Sequence, residues 1–237
     1  MVKNIADYIK LNLWTGMSVY ERAFLFSTVL LQIIVFIFSP DTPLGIIAGI
    51  AGCISVVLCA KGRIAFYFIG FVQNFSYMLL AFQNQFYGEV LENVFYVVTM
   101  IWGIIVWKKT SIINEDGTDS VAARKFTLTE WVFSITGTVV CTIALGYWLT
   151  TINSQQAYTD AATNVMAIFA QIMMVKCYRE QWIWWLLIDV FCIKMWFVAG
   201  NWSMVAMYIA WTINCIYGWI NWTKLQKARE AATKEGL

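Results

Sequence analysis

Long apolar runs, separated at regular intervals by short polar links, dominate the chain. From Ala23 to Phe38 the one strongly hydrogen-bonding side chain is Gln32. Similar runs recur at about 43–60, 64–82, 89–107, 130–149, 158–175, 181–199 and 203–222. Each is near the ~20 residues that a helix needs to cross ~30 Å of hydrocarbon. No water is available there, so every backbone amide has to bond within its own segment, and the runs predict helices. The expected fold is an all-α polytopic membrane protein with eight transmembrane helices. Local signals agree with those boundaries. Ser18-x-x-Glu21 and Thr127-x-x-Glu130 read as capping boxes opening spans one and five, and Thr42-Pro43 as an N-cap followed by proline. Residues 4–17 place Ile5, Tyr8, Ile9 and Leu13 on one face, which predicts a short helix lying on the inner surface. The 108–126 segment reads as a polar cytoplasmic turn, and the tail from Lys224 as helix-prone and solvated.

Composition sharpens this picture. The chain is 60% hydrophobic and 13% charged, against roughly 25% charged in soluble domains. No cleavable signal peptide is expected, because the first apolar run begins only at Ala23 and no small-x-small site follows it. Cys53, Cys59, Cys141, Cys177, Cys192 and Cys215 show no metal-ligand spacing and read as small core residues. Histidine is absent from the sequence, which removes the commonest metal ligand and proton relay. No metal and no cofactor is expected, and no nucleic acid as a partner.

The positive charges orient the spans. Lys3, Lys10 and Arg22 precede span one, Lys61 and Arg63 follow span two, and Lys108, Lys109, Arg124 and Lys125 follow span four. Lys176 and Arg179 follow span six, and Lys224, Lys227, Arg229 and Lys234 follow span eight. The alternate links carry no Lys or Arg. Basic loops mark the cytoplasmic side, so eight spans with both termini cytoplasmic are self-consistent, whereas seven would break the alternation.

A shift of 115 residues superposes spans two to four on spans six to eight. It matches Lys61 with Lys176, Phe82 with Phe197, Gly103 with Gly218, Trp107 with Trp222 and Lys109 with Lys224. Overall identity is too low to carry the comparison. The case rests on the span boundaries and on two paired stripes. Tyr96-x-x-Thr99-x-x-x-Gly103 falls on Trp211-x-x-Asn214-x-x-x-Gly218, and Tyr67-x-x-Gly70-x-x-x-Asn74 on Trp182-x-x-Trp185-x-x-x-Asp189. These spacings keep each set on one helical face. Three spans are an odd number, so a tandem copy needs one linker helix to restore its orientation. The expected architecture is one extra N-terminal helix plus a parallel 3+1+3 repeat, a pattern used by small-solute transporters such as SWEETs. The corresponding segments are an interfacial stretch 1–20, an extra helix 21–39, a first repeat 43–109, a loop and linker helix 110–157, a second repeat 158–224 and a tail 225–237.

Candidate chemistry gathers at mid-span. Asn74, Thr99, Asp189 and Asn214 each fall near the middle of their spans, and the shift makes them two equivalent pairs. Polar residues of this kind commonly bond across helices as structural glue. Four at one depth favour a shared solute site, and a carboxylate there must face protein or a wet cavity. Gln73 adds an amide whose direction the sequence leaves open. Trp182 and Trp185 share the face of Asp189, whereas Trp184 reads as part of an interfacial aromatic belt. An aromatic wall leading to a carboxylate suits a solute that is flat, electron-poor or cationic, and hydroxylated, with ring stacking and cation–π attraction worth ~1–2 kcal/mol per partner. Glu92 and Lys194 lie about a turn from the outer span ends and read as structural.

The Trp182-x-x-Trp185-x-x-x-Asp189 stripe, followed by Asn214-x-x-Tyr217-Gly218, resembles the W-x-x-W-x-x-x-N/D motif of the PnuC vitamin transporters over residues 20–224. The resemblance implies a SWEET-like fold carrying nicotinamide riboside by facilitated diffusion, with a cytoplasmic kinase trapping the solute. It further implies a bacterial-type inner membrane location and a homo-oligomer, with a trimer as the suggested form. Together with the mid-span reading, the candidate substrate-binding set is Trp182, Trp185, Asp189, Gln73, Asn74, Tyr96, Thr99, Trp211, Asn214 and Tyr217. Thiamine or another vitamin is the alternative cargo. From a different class, a retinal-binding photoreceptor would have to use Lys194, which lies near an outer end with Asp189 poorly placed as counterion. No nucleophile–base pair suggests an enzyme.

Overall fold

The computed structural model of the protein describes residues 10–38, 42–85, 87–114, 116–154, 156–198, 200 and 202–234. Its contacts divide the chain into two compact units, Met1–Ala122 and Ala123–Leu237. The first holds a π-helical turn at Lys10–Trp14 and helices α1 (Val19–Phe38), α2 (Pro43–Lys61), α3 (Ala65–Gln83) and α4 (Tyr87–Thr110). Within it α1 packs on α2, α2 on α3 and α3 on α4. The second holds α5 (Leu128–Thr151), α6 (Ala157–Val175), α7 (Gln181–Val198) and α8 (Trp202–Lys234). Again consecutive helices pack, α5 on α6, α6 on α7 and α7 on α8.

The helices begin where their caps predict. Ser18 Oγ accepts from the Glu21 amide at 3.2 Å while Glu21 accepts from the Ser18 amide at 2.5 Å. Thr127 and Glu130 form the second capping box, and Thr42 caps α2 ahead of Pro43. Each box places two otherwise orphaned amides. The expected surface helix over residues 4–17 falls partly outside the described residues; from Lys10 to Trp14 the chain is a π turn. Lys61 Nζ holds the stretch that follows, donating to the Gly16 carbonyl at 2.6 Å and to Glu21 at 2.9 Å.

Helix ends show a correspondence that the residue identities conceal. Gly62 adopts φ 81°, and the amides of Gly62 and Arg63 close on the carbonyls of Cys59 and Leu58. At 115 residues further on, Cys177 adopts φ 63°, and Cys177 and Tyr178 close on Met174 and Met173. This is the six-to-one closure of a left-handed helix cap. At the other ends of the next helices, Gln85 (φ 61°) closes on Phe82 and Gly200 (φ 70°) on Phe197. The left-handed turn is therefore kept even where glycine is replaced.

Six of the described helices, α1 to α5 and α7, are long and apolar enough to cross a membrane by length and composition. In α6 the side chains of Asp160, Asn164 and Gln171 dilute the apolar content, and in α8 those of Thr212, Asn214 and Asn221 do so. Large apolar side chains stay exposed along α1 (Phe26, Leu30, Ile37) and α5 (Val132, Phe133, Val140). A soluble domain rarely leaves such faces open, whereas lipid covers them. The chain is thus a helical, multi-pass membrane protein. One detail goes beyond the sequence reading. The 108–126 segment does turn where expected, the Gly117 amide donating to the Asn114 carbonyl, but it is more than a turn. It forms a short antiparallel hairpin, β1 (Ile112–Ile113) against β2 (Asp119–Ser120), and then runs inward with Val121, Ala122 and Ala123 buried. The Val121 amide donates to the Gly62 carbonyl and Asp119 accepts from the Ile64 amide at 2.6 Å, so the segment satisfies the backbone of the α2–α3 turn. The charged tail, as its helix-prone sequence predicts, is helical: it is the uninterrupted end of α8, whose 33 residues extend about 50 Å at 1.5 Å each.

Candidate solute-binding site

In the second unit the mid-span chemistry is built from α7 and α8. Asp189 is 3% exposed and accepts from Cys215 Sγ at 3.4 Å. Asn214, also buried, precedes that cysteine on α8. One turn towards the helix start, Trp185 is half-buried against the core cluster of Met166, Ala170, Ile188 and Cys192. Trp182 is buried and lies flat on Gly218, where a Cβ would fall 2.5 Å from indole Cε2. Behind it stands the fully buried Trp222, edge-on at 5.9 Å. The missing side chain at Gly218 is what lets an indole lie on a helix backbone, and Tyr217 follows half-buried beside it. Trp211 is half-buried and edge-on to Tyr208 at 5.2 Å.

The first unit carries the corresponding residues in a more closed form. Tyr67 lies on Gly103 and edge-on to Trp107 at 4.9 Å, at the positions equivalent to Trp182, Gly218 and Trp222. Asn74 donates to the Gly70 carbonyl at 2.8 Å and to Met100 Sδ at 3.5 Å. Met100 is the equivalent of Cys215, so each unit sets a sulfur against its mid-span polar residue. Thr99, also buried, donates to the Phe95 and Tyr96 carbonyls at 2.9 Å. Gln73 faces α2, where it accepts from Ser55 Oγ at 2.8 Å and covers Gly52. Tyr96 donates to Glu92 at 2.8 Å, which ties that carboxylate down within α4.

Several contributors were not read from the sequence. Cys215 and Met100 stand out only once the two halves are aligned and the neighbours of Thr99 and Asn214 are compared. Trp184 is no belt residue. It is buried, and its Nε1 donates to Thr138 of α5 at 3.1 Å, with Trp131 at 5.9 Å. An interior hydroxyl three turns into α5 gives no sequence signal that it faces a tryptophan. The turn ahead of α7 is likewise ordered by side chains. Tyr178 donates to Glu130, the Arg124 guanidinium lies 4.6 Å from the Tyr178 ring centroid, and Arg179 stacks on Trp219 at 4.9 Å. Burial and the bond to Glu130 push the Tyr178 phenol above its ordinary pKa.

A stripe of two tryptophans and a buried carboxylate, with aromatic and amide groups opposite on α8, can stack a flat cation and accept hydrogen bonds from hydroxyls. Comparison with known proteins points the same way. A family model described as nicotinamide mononucleotide transporter matches residues 42–224. The chain is 33% identical to the nicotinamide riboside transporter PnuC of Neisseria mucosa, over 92% of this chain and 86% of that one. It is 32% identical to the protein of the same description from Haemophilus influenzae, over 94% and 98%. A crystal structure of the vitamin B3 transporter PnuC, 31% identical, superposes with a TM-score of 0.81 over 95% of this chain and 99% of that one. The chain therefore belongs to the PnuC family of membrane transporters, not to a family of enzymes.

Proposed function

We propose that this protein carries nicotinamide riboside across the inner membrane of a bacterial-type cell by facilitated diffusion, the solute site opening to each side in turn. Two relatives described as nicotinamide riboside transporters align over most of the chain. The observation that carries the reading is the α7 stripe: Trp182 and Trp185 lie on the face of Asp189, which is buried on Cys215. A pyridinium ring takes the indoles and draws on the carboxylate charge, while ribose hydroxyls donate to Asp189 and bond Asn214. Gln73, Asn74, Tyr96 and Thr99 in the first unit and Trp211 and Tyr217 in the second complete the proposed set. The family description names the mononucleotide, whereas the aligned relatives are described by the riboside. A buried carboxylate supports the riboside reading, because it would repel a phosphate in the same site.

The same reading takes the chain as eight spans with both termini cytoplasmic, arranged as an extra helix and a parallel 3+1+3 repeat of residues 43–109 and 158–224. It is supported by the alternation of basic loops, the paired left-handed turns and the paired aromatic–glycine contacts. A homo-oligomer, and a cytoplasmic kinase that traps the solute by phosphorylation, belong to it as partners. Membership of a transporter family leaves no place for the photoreceptor alternative.

The test is a titration of purified protein with nicotinamide riboside, the mononucleotide and thiamine. Trp185→Ala and Asp189→Ala should each weaken riboside binding at least tenfold, about 1.4 kcal/mol. Binding that survives both substitutions unchanged, or a preference for the mononucleotide, would refute the assignment.

A further inference from the structure

Gln181, the first residue of α7, is 0% exposed, yet neither Nε2 nor Oε1 of its side chain has a hydrogen-bond partner. Native proteins leave very few buried polar atoms empty. An amide with donor and acceptor both unfilled is an open position for something that brings both complements. Trp182 Nε1, one residue on, is also buried and unpartnered. Helical geometry places Gln181 beside the solute stripe. It lies one turn, about 6 Å, below Trp185 on nearly the same face, and about 12 Å below Asp189.

We infer that Gln181 reads the primary carboxamide on the aromatic ring of the solute. The inference rests on the riboside reading above and deepens it. One planar carboxamide complements another: Gln181 Nε2 donates to the ligand carbonyl, and the ligand N–H donates to Gln181 Oε1. The ring then lies along Trp185 and the sugar reaches towards Asp189, a span of two helical turns. A ring carboxylate offers no donor to Oε1, and a methyl ketone offers only the acceptor. Gln181 is therefore a specificity-determining residue, selecting the amide over the acid.

The experiment compares Kd values for nicotinamide riboside, nicotinic acid riboside and the methyl-ketone analogue, acetylpyridine riboside, on the full chain and on Gln181→Met. The native protein should prefer nicotinamide riboside at least tenfold over each analogue. The substitution should weaken nicotinamide riboside at least fivefold and the ketone less than twofold, with the melting temperature of the empty protein unchanged or raised. Native protein that binds the ketone as tightly as the amide overturns the inference, as it would if ordered water filled the position. So does an equal loss for all three ligands in Gln181→Met. If that variant does not fold, the native comparison decides alone. Native protein that binds no nicotinamide riboside fails the transport reading itself, whereas binding without discrimination fails only the role of Gln181.

Discussion

Gly218→Ala puts the largest strain on the proposed site with the smallest change. A Cβ at Gly218 would fall 2.5, 2.6 and 2.7 Å from Cε2, Cζ2 and Cδ2 of Trp182. Carbon atoms rest at about 3.5–4.0 Å, so the indole has to lift by about 1 Å. It has little room to do so, because Trp182 is 4% exposed and Trp222 behind it is fully buried. Overpacking of this kind costs about 1–3 kcal/mol. At ~2–4 °C per kcal/mol for a chain of this size, the melting temperature should fall by several degrees. A displaced ring also forfeits most of one stacking or cation–π partner, ~1–2 kcal/mol, which is about tenfold in Kd. The assay is thermal unfolding in detergent beside calorimetric titration with nicotinamide riboside. Gly103→Ala, which meets Tyr67 in the same way in the first unit, is the control. It should lose similar stability and less affinity. Gly218→Ala protein that melts and binds like the native chain would refute the reasoning, and equal affinity losses in the two variants would refute the special role of Trp182.

Two further outcomes follow from buried partners. Glu21→Gln removes the charge that meets Lys61 Nζ at 2.9 Å, with the two side chains 2% and 14% exposed. Breaking one side of a buried pair costs up to ~3–5 kcal/mol, but Lys61 keeps its bond to Gly16, so a loss of about 1–3 kcal/mol should appear as a lower melting temperature with riboside affinity unchanged; an unchanged melt would show that the pair contributes nothing. Trp184→Phe keeps the ring and deletes the bond to Thr138, which should cost about 0.5–1.5 kcal/mol and leave Kd within about twofold, while an affinity loss matching that of Trp185→Ala would collapse the distinction between the two tryptophans.

What the sequence made legible was what repeats along one helix. Apolar run lengths located the eight helices of the described residues, the two capping boxes located the starts of α1 and α5, and the spacing of Trp182, Trp185 and Asp189 put them on one face. Contacts made across helices were not legible: the shift paired Gly103 with Gly218, but only the structure shows Tyr67 and Trp182 lying on them. Trp184 was misread because its partner, Thr138, is one hydroxyl among several on α5. In the 108–126 segment Asn114, Asp116 and Gly117 marked the turn, but not the strand pairing or the inward run that follows it. What draws the chain inward is the apolar Val121–Ala123 stretch, together with backbone groups of the α2–α3 turn that need partners. Nothing in the sequence pattern marks Gln181, and its complete burial without hydrogen-bond partners sets it apart.

The two units differ most where they correspond most closely, and the difference bears on function. At the position of Trp185 the first unit has Gly70, and the space beside it is taken by Met100, whose methyl group would lie 2.8 Å from a Cβ there. At the position of Met100 the second unit has the smaller Cys215. Bulk has been exchanged between neighbouring helices while the sulfur stays against the mid-span polar residue, Asn74 in one unit and Asp189 in the other. In the first unit the exchange uses the long side chain to seal the helix pair, and the Asn74 amide is spent on its own helix and on the thioether. In the second it turns a large aromatic out along α7 and leaves a carboxylate met by one weak thiol donor. The proposed function needs that carboxylate to be held loosely, so that a solute hydroxyl can compete for it. The helix frame is thus common to both units, and the residues suited to selecting a cation are concentrated in the second.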